Sequence, residues 1–250
     1  MRMRADLSTH DRSTVLRPGI RTYKTRRSRM TEREATALDA QSAFLLPVDS
    51  IELDFANVWG AGMPVVLEIG FGAGTSTARM AADDPATGIL AVDVHTPGVG
   101  DLLDHLGREA LKNVRVMEAD ALAVLEFMIP VSALAGVRSF FPDPWPKARH
   151  HKRRLVQPEV LDLVASRLVP GGYWHLATDW PEYADAMRST FAAVAGWSGG
   201  GVPRPADRPV THYERRAMRA GRPITDFLYR RDTTGISCKP CSPRWPGDRG

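Results

Sequence analysis

Cysteine is almost absent from the 250-residue chain, which contains only Cys238 and Cys241, both near its C-terminus. So few cysteines exclude a fold held together by several disulfide bonds, and they fit a reducing cytoplasm. The CKPC pair supplies at most two zinc ligands, fewer than a closed structural zinc site requires. We therefore predict neither a disulfide framework nor a metal site, and we expect a cytoplasmic protein.

Long apolar runs are also lacking. No run approaches the roughly 18 residues that a membrane-spanning helix needs, and the arginine-rich N-terminus has no apolar segment typical of a secretory signal. We therefore expect neither a membrane partner nor secretion. The composition, 43% hydrophobic and 25% charged, is ordinary for a globular protein, and the length suits one domain with terminal extensions.

Positive charge is concentrated in three segments, although the formal net charge is only +4. Arg21–Arg29 has five basic residues and no acid, Arg149–Arg154 has four arginines or lysines and two histidines, and His212–Arg222 has four arginines. Any one of them alone would be interpreted as a solvated surface. Three such segments in one chain favour a polyanionic partner such as nucleic acid.

Apolar and amphipathic segments alternate through the middle of the chain. Apolar runs predict strands at Pro64–Gly70, Gly88–Val94, Asn113–Asp120, Val137–Phe141, Gly171–Asp179 and Ile224–Arg231, with helices between them at 75–85, 98–112, 121–129, 158–168 and 182–195. Strands that are apolar throughout predict an α/β fold, with a mostly parallel sheet and helices on both faces. We assign this domain to 41–235, a basic and partly mobile arm to 1–40, and a disordered tail to 236–250.

A glycine-rich turn, LEIGFGAGTS, follows the first predicted strand. Its third glycine comes one residue too early for the dinucleotide-binding pattern G-x-G-x-x-G. The spacing E-x-G-x-G-x-G, which contains Gly70, Gly72 and Gly74, instead resembles the loop of class I S-adenosylmethionine-dependent methyltransferases. Such a turn alone could also serve only close packing of the backbone.

Acidic residues stand at or just after the carboxyl ends of four successive predicted strands, at Glu68, Asp93, Asp120 and Asp143. Open α/β sheets bind ligands at the carboxyl ends of their strands, and Asp93 is placed to accept both hydroxyls of a ribose. One acid at such a position is commonly only a helix N-cap. Four of them beside a glycine turn favour a ligand that carries a ribose, an amine and a sulfonium.

The fourth predicted strand ends in FFPDPWPK, where three prolines stop the strand sharply and restrict Asp143. Trp145 is interpreted either as a lid or stacking surface or as a packing residue. Lys147 can reach a phosphate or a base edge, and RHHKRR then supplies a cationic track.

The stretch PDPWPKARHHKRR resembles the signature of the bacterial tRNA (guanine-N7-)-methyltransferases. The blocks LEIGFGAG, AVDVHTPGVG, RVMEADA, GGYWHLATDW and RPVTHYERRAMRAG are similar to blocks of that family in the same order, over roughly residues 60–231. The resemblance implies a Rossmann-like class I methyltransferase fold, S-adenosyl-L-methionine as methyl donor without a metal, and tRNA as partner. The implied product is 7-methylguanosine at position 46, in the variable loop of tRNA.

The resemblance also implies roles for individual residues. The cofactor-binding residues are Glu68, Gly70, Gly72, Gly74, Asp93, His95, Asp120, Ala121 and Asp143. Asp143 is also placed at the reaction centre as the catalytic residue. The substrate guanosine is assigned to Lys147, Asp179, Thr211, His212, Tyr213 and Glu214, and the RNA to Arg149, His150, His151, Lys152, Arg153 and Arg154.

Some choices stay open at this point. Asp179 or Glu214 is expected to read the guanine edge, unless Glu214 pairs internally with Arg216 at a helix start. Asp93 stands where many family members have glutamate, which shortens its reach. The oligomeric state, monomer or homodimer, is also open.

Guanine N7 carries a lone pair and no proton, so the implied reaction needs no general base. Three rivals are weighed against it. A small-molecule methyltransferase is disfavoured by the basic segments, and a nicotinamide-dependent oxidoreductase by the glycine spacing. A non-catalytic RNA-binding module is disfavoured by the four strand-end acids. A methyltransferase that acts on another RNA stays open as an alternative.

Overall fold

In the computed structural model, which describes residues 22–23, 29–49 and 51–233, seven strands pair into one sheet. They are β1 (Val65–Ile69), β2 (Gly88–Asp93), β3 (Val114–Glu118), β4 (Leu134–Phe140), β5 (Leu168–Thr178), β6 (Trp197–Val202) and β7 (Thr225–Arg231). Their order is β3-β2-β1-β4-β5-β7-β6. The first five in that order are parallel, and β7 runs antiparallel to both of its neighbours.

Helices cover the sheet on both faces. They are α1 (Glu32–Ala40), α2 (Phe55–Trp59), α3 (Thr75–Asp83), α4 (Thr96–Arg108), α5 (Ala121–Phe127), α6 (Pro158–Arg167), α7 (Pro181–Ala193) and α8 (His212–Arg219). Side chains of α5, α6 and α7 form one core cluster with the sheet, and those of α1, α3 and α4 form a second. The predicted mostly parallel sheet with two covered faces is confirmed.

The alternation of side chains along β2 shows why the strands are apolar throughout. Leu90 and Val92 belong to the first core cluster, whereas Ile89 and Ala91 belong to the second. Because successive side chains of a strand point to opposite faces, a sheet buried on both faces needs apolar residues at every position.

Strand β6 was not predicted, because its sequence WSGGGV contains three consecutive glycines, which are depleted in strands. It forms nonetheless by pairing with β7, from Trp197 opposite Arg231 to Val202 opposite Asp226. The long-range partner supplies the ladder that the local sequence does not favour.

Helix α1 lies inside the segment that the sequence assigns to a basic arm. Thr31 begins the helix with a capping box to Glu34, and Arg33 pairs with Asp101 and Asp104 of α4. Only Glu34 and Ala37 are buried in the helix, so its apolar periodicity is weak. The helix is therefore held by caps and ion pairs that periodicity alone does not reveal.

Several predictions concern residues outside those described. The disordered tail at 236–250, both cysteines, and most of the arm before Arg29 fall there, so the predicted domain limits stay predictions. Across the described ranges, no helix has the length and apolar character needed to cross a membrane.

Candidate active site

A cavity of about 170 Å³ lies at the carboxyl ends of β1, β2 and β4. This is the edge at which open α/β sheets bind ligands. The structure brings together there six of the residues predicted for the site: Gly70, Gly72, Asp93, His95, Asp143 and Tyr213. Thr22 and Tyr23 also line the cavity, although the sequence assigned them only to a mobile arm.

The glycine turn serves both packing and access. Gly74 begins α3 with a φ of +71°, and a Cβ atom there would lie 2.5 Å from Leu102 Cβ, so only glycine allows the turn to pack against α4. Gly70 has a φ of +78°, and a Cβ atom on it would meet nothing within 4 Å. The turn therefore packs closely at its far end and is open at the residue that faces the cavity.

Asp93 holds the glycine turn and the start of the next helix. Its Oδ2 accepts a hydrogen bond from the Gly72 N–H (2.9 Å), and its Oδ1 accepts from the N–H groups of Val94 (2.7 Å) and His95 (3.1 Å). Burial raises the pKa of Asp93, against the opposing effect of these three donors. Because a carboxylate offers about four acceptor sites, Asp93 keeps capacity for a ligand on the cavity side.

Glu68 is a buried carboxylate with an unused oxygen. Its side chain is in β1, the residue is only 3% exposed, and Oε2 has no hydrogen-bond partner among the described residues. Burial raises the pKa of Glu68 to about 7, although Arg138 on the neighbouring strand opposes the shift. A buried acceptor without a partner costs free energy, which marks this place, next to the glycine turn, as one that a ligand donor would stabilise.

Two further residues predicted to bind cofactor lie at helix starts. Asp120 is the N-cap of α5 and accepts from the Leu122 N–H (3.0 Å), and Ala121 is the first residue of that helix. His95 lines the cavity and is also the N-cap of α4, where Nδ1 accepts from the Gly98 N–H (3.2 Å). For Asp120 and Ala121, which do not line the cavity, cofactor binding stays a prediction.

The segment Pro142–Pro146, called the proline corner below, is held rigid by more than its three prolines. Phe141 and Trp145, on either side of Asp143, have φ angles of +56° and +44°, a region that bulky residues occupy only under strain. Trp145 is 5% exposed and donates from Nε1 to the Thr22 carbonyl (3.0 Å), so it packs inside the protein. Asp143 lines the cavity between these two constrained residues.

Arg154, the last residue of the basic run, differs from its neighbours. It is 3% exposed, its Nε donates to the Pro144 carbonyl (2.9 Å), and its guanidinium forms a bidentate salt bridge with Glu182. It also lies over the Tyr183 ring, 4.8 Å from the centroid. These contacts fix the proline corner to the start of α7, which carries Glu182 and Tyr183.

The rest of the basic run forms a 3₁₀ helix at Ala148–Arg153. Lys147, Arg149 and Lys152 are exposed, whereas the Arg153 guanidinium lies 4.5 Å from the centroid of the Trp145 ring. Partial desolvation and the surrounding cations lower the pKa of His150. The run therefore presents a cationic surface beside the corner that holds Asp143.

The residues predicted to bind the guanosine are distributed over two elements and a loop. Asp179, which follows β5, accepts from Arg222 Nε (2.8 Å). Thr211 is the N-cap of α8, and His212 beside it is exposed. Tyr213 lines the cavity, and its ring stacks on Phe141 with the centroids 6.4 Å apart.

Glu214 is buried, and it pairs with Arg208 and not with Arg216. The Arg208 Nη1 atom lies 2.5 Å from Glu214 Oε2, and Nη2 donates to Asp226 Oδ2 (2.9 Å). Sequence reasoning missed Arg208, because an arginine six positions before an acid follows no helical spacing. That Glu214 binds the substrate guanosine thus stays a prediction.

The strand order, the antiparallel β7 and the cavity at the ends of β1 and β2 define a class I methyltransferase fold. The chain is similar to the crystal structure of the 16S rRNA methyltransferase KamB, with a TM-score of 0.53 and 17% identity over 72% of this chain and 94% of that one. It is also similar to a 16S rRNA (adenine(1408)-N(1))-methyltransferase from Catenulisporales acidiphilia, solved with cosubstrate SAM. There the TM-score is 0.52 and the identity 16%, over 77% of this chain and 95% of that one. These likenesses confirm the predicted fold.

Sequence comparison identifies the family within this class of methyltransferases. A family described as "Putative methyltransferase" matches residues 62–227. Proteins named tRNA (guanine-N(7)-)-methyltransferase match at 49% identity in Streptomyces avermitilis, over 85% of this chain and 75% of that protein, and at 47% in Thiobacillus denitrificans, over 86% and 96%. The chain belongs to the tRNA (guanine-N7-)-methyltransferase family. The predicted family and enzyme class are confirmed.

Within the described ranges, no group of three or more histidine, cysteine, aspartate or glutamate side chains is arranged to hold a metal ion.

Proposed function

We propose that this enzyme transfers a methyl group from S-adenosylmethionine to N7 of a guanosine in tRNA, at position 46 in the variable loop. One observation carries the proposal. The glycine turn, Asp93, Asp143 and Tyr213 meet in one cavity, and an exposed cationic run begins four residues after Asp143. The names of the curated relatives support the same reaction. We place the enzyme in the cytoplasm together with its tRNA substrate.

The residues at the cavity fit S-adenosylmethionine. Gly70 leaves open space and Asp93 has acceptor capacity for the ribose hydroxyls. Glu68 does not line the cavity, but it directly precedes Ile69, which does, and its buried Oε2 atom is suited to a donor or a positive charge. When bound, the cofactor supplies an electrophilic methyl group on a sulfonium. The chain's own contribution is to hold that group and the base in one orientation.

Asp143 acts by position and charge in this proposal. Guanine N7 has a free lone pair, so no proton has to be removed, and the guanine ring becomes cationic as the methyl group is transferred. A carboxylate fixed between two constrained residues can stabilise that charge without reorganising, an effect of ~3–4 kcal/mol for a preorganised group. Correct orientation of the two reactants contributes a further ~7–11 kcal/mol.

The exposed cations support an RNA partner. Lys147, Arg149 and Lys152 are exposed beside the proline corner, and Arg215, Arg216 and Arg219 are exposed on α8, directly after Tyr213. Contacts of arginine and lysine with phosphates orient a nucleic acid and supply most of its salt-dependent affinity. Both surfaces adjoin residues of the cavity. We assign Arg154 to holding the corner and the exposed members to the phosphates.

The proposal is tested by mass spectrometry of nucleosides from tRNA incubated with enzyme and isotopically labelled S-adenosylmethionine. We expect the label in 7-methylguanosine, and we expect it to disappear when adenosine replaces guanosine at position 46. The matched protein control is the Asp143→Ala variant. Label in another nucleoside would contradict the proposal. Equal methylation of free guanosine without tRNA would favour a small-molecule methyltransferase.

A further inference from the structure

A buried cluster of charges lies behind the cavity wall, centred on Arg208. Arg208 is 1% exposed, and its guanidinium binds Glu214 on α8 at one end and Asp226 on β7 at the other. Asp226 also lies 3.0 Å from Nε2 of His175 on β5. Although burial raises it, the hydrogen bonds from His175 and Arg208 hold the pKa of Asp226 below its ordinary value. The carboxylate of Asp226 is therefore charged at neutral pH.

Arg208 also contacts the end of β4, the strand that precedes Asp143 in the chain. Its guanidinium carbon lies 5.6 Å from the centroid of the Phe140 ring and 6.0 Å from that of Phe141. Phe141 in turn stacks on Tyr213, and both residues line the cavity. The Arg208 side chain thus joins α8, β7 and the end of β4. Of these elements, α8 and the end of β4 line the cavity, through Tyr213 and Phe140.

Glu214 has little capacity left for a base. Its side chain is only 5% exposed, Oε2 is bound by Arg208, and Oε1 lies 3.7 Å from Arg204 Nε. Its backbone N–H donates to Thr211. The carboxylate is therefore buried and engaged by two arginines.

Stability alone is a weak reason for such a cluster. Buried ion pairs are commonly no more stabilising than apolar residues of the same volume, because removing charges from water is costly. What the cluster does supply is geometry, since a planar guanidinium fixes two carboxylates in defined directions. Here the fixed elements are α8, which carries Tyr213, and the end of β4, which leads into Asp143.

We propose that Arg208 is a positioning residue for methyl transfer. It fixes the start of α8 against the end of β4, and so sets the position of Tyr213 relative to Asp143. Glu214 then acts as the anchor of α8, and the guanine edge is read by another residue. This inference rests on the proposed function, because it concerns the same reaction and the same base.

The test compares two tRNAs that differ only in the target base, guanosine or inosine. Inosine keeps N7 but lacks the exocyclic amine, so a carboxylate that reads the guanine edge loses a hydrogen bond with it. The Glu214→Gln variant keeps the shape of the side chain and removes its charge. Single-turnover methylation rates are measured for both tRNAs with saturating cofactor. The wild-type rate on the guanosine tRNA is a separate check of the proposed function itself.

If Glu214 is an anchor, Glu214→Gln slows both tRNAs by the same factor, about 10-fold or more from the loss of a charge-assisted hydrogen bond. The ratio of the two rates stays that of the wild type, and calorimetric cofactor affinity is unchanged. A ratio that moves toward equal rates would overturn the proposal, because it would show that Glu214 reads the base. An unchanged rate on guanosine would also overturn it, since the cluster would then be only structural.

A second pair of variants tests Arg208 itself. Replacing Arg208 by alanine would remove the cation that two buried carboxylates share and is expected to unfold the protein, so Arg208→Lys is used. Lysine keeps the charge but cannot bind both carboxylates in the same plane. We expect the double variant Arg208→Lys with Glu214→Gln to be no slower than the slower single variant. Rate losses that multiply would show that the two residues act independently and would contradict the proposal.

Arg204→Gln is the matched control, since Arg204 contacts the same carboxylate from its exposed side. The side chain of Arg204 is 43% exposed, its pair with Glu214 is long at 3.7 Å, and its Nη1 atom donates to the Arg208 carbonyl (2.7 Å). Because Arg204 fixes neither Asp226 nor the plane of the Arg208 guanidinium, we expect the rate of this variant to fall clearly less than that of Glu214→Gln. A loss as large as that of Glu214→Gln would mean that any change near this carboxylate slows the enzyme, and the specific role of Arg208 would be lost.

Discussion

The two sides of the cavity are constructed from different kinds of contact. On the cofactor side, backbone N–H groups of Gly72, Val94 and His95 hold Asp93, all within the strand–turn–helix units that contain them. On the substrate side, ion pairs between side chains of different elements and loops hold the structure in place. They are Arg154 with Glu182, Arg222 with Asp179, and Arg208 with Glu214 and Asp226.

This difference has consequences for function. Backbone donors cannot be removed by substitution, so the cofactor side depends on the shape of the turn and on the acceptors facing it. The substrate side depends on the charge of individual side chains. Variants of acceptors on the first side should therefore affect cofactor affinity, and variants of charged residues on the second should affect chemistry or RNA binding while sparing the cofactor.

Asp143, between the two sides, should give the largest effect. Asp143→Ala loses both geometry and charge, so we expect its single-turnover rate to fall further than the about 100- to 1000-fold that loss of a preorganised charge alone costs. Asp143→Asn keeps the shape and should retain measurable activity. Because N7 needs no deprotonation, the wild-type rate should be nearly flat with pH once the carboxylates are ionised. Two equally inactive variants, with fold and cofactor affinity intact, would contradict positioning and show that the charge is indispensable.

Glu68 should make stability depend on pH. Its pKa is about 7 in the folded protein against 4.5 for the ordinary carboxyl. Below pH 4.5 both states hold the proton. As pH rises toward 7 the unfolded chain loses it first, so the free energy of unfolding falls, by about 3 kcal/mol in all.

Glu68→Gln removes this titration. Denaturant unfolding of both proteins from pH 4.5 to about 9 should therefore give a difference in the free energy of unfolding that changes between about pH 4.5 and 7 and levels off above about pH 8. If the two pH profiles are parallel throughout, Glu68 has an ordinary pKa in the folded protein and the account of its burial is wrong.

Asp93→Ala tests the cofactor side directly. The variant loses the acceptor of three backbone donors and of the ribose hydroxyls, so we expect S-adenosylmethionine affinity to fall by about 10- to 100-fold in calorimetric titration. Asp179→Ala, on the substrate side, is the matched control and should bind the cofactor as the wild type does. Unchanged affinity in a folded Asp93→Ala protein would remove Asp93 from the cofactor site.

The contrast between the two sides also explains what the sequence could predict. The end of β1, the glycines after it and the acid that ends β2 lie close together in sequence, and Gly70, Gly72 and Asp93 all line one cavity. That they bind the cofactor stays a prediction. Arg154 could not be told apart from the other cations of its run, because its partner Glu182 lies 28 residues away. Arg208 gave no signal because its spacing of six residues to Glu214 follows no helical period and its other partner, Asp226, lies 18 residues away. Strand β6 formed only because β7 pairs with it.

The smallest effect should come from the basic run, where the two kinds of arginine can be compared. Neutralising Arg149 and Lys152 with glutamine removes two exposed cations. If both contact phosphates, the slope of log affinity for tRNA against log salt should decrease by about 0.7–0.9 for each lost contact, with cofactor affinity unchanged.

Arg154→Gln is the matched comparison within the same run, because it removes a cation that is buried against Glu182 and the Pro144 carbonyl. We expect this variant to keep the salt slope of the wild type and to melt at a lower temperature, since Glu182 loses its partner. Filter-binding titrations from low to moderate salt and thermal denaturation measure the two quantities on the same preparations. If Arg154→Gln lowers the slope while Arg149→Gln and Lys152→Gln do not, the phosphates contact the buried end of the run, and the assignment of its exposed residues to RNA is wrong.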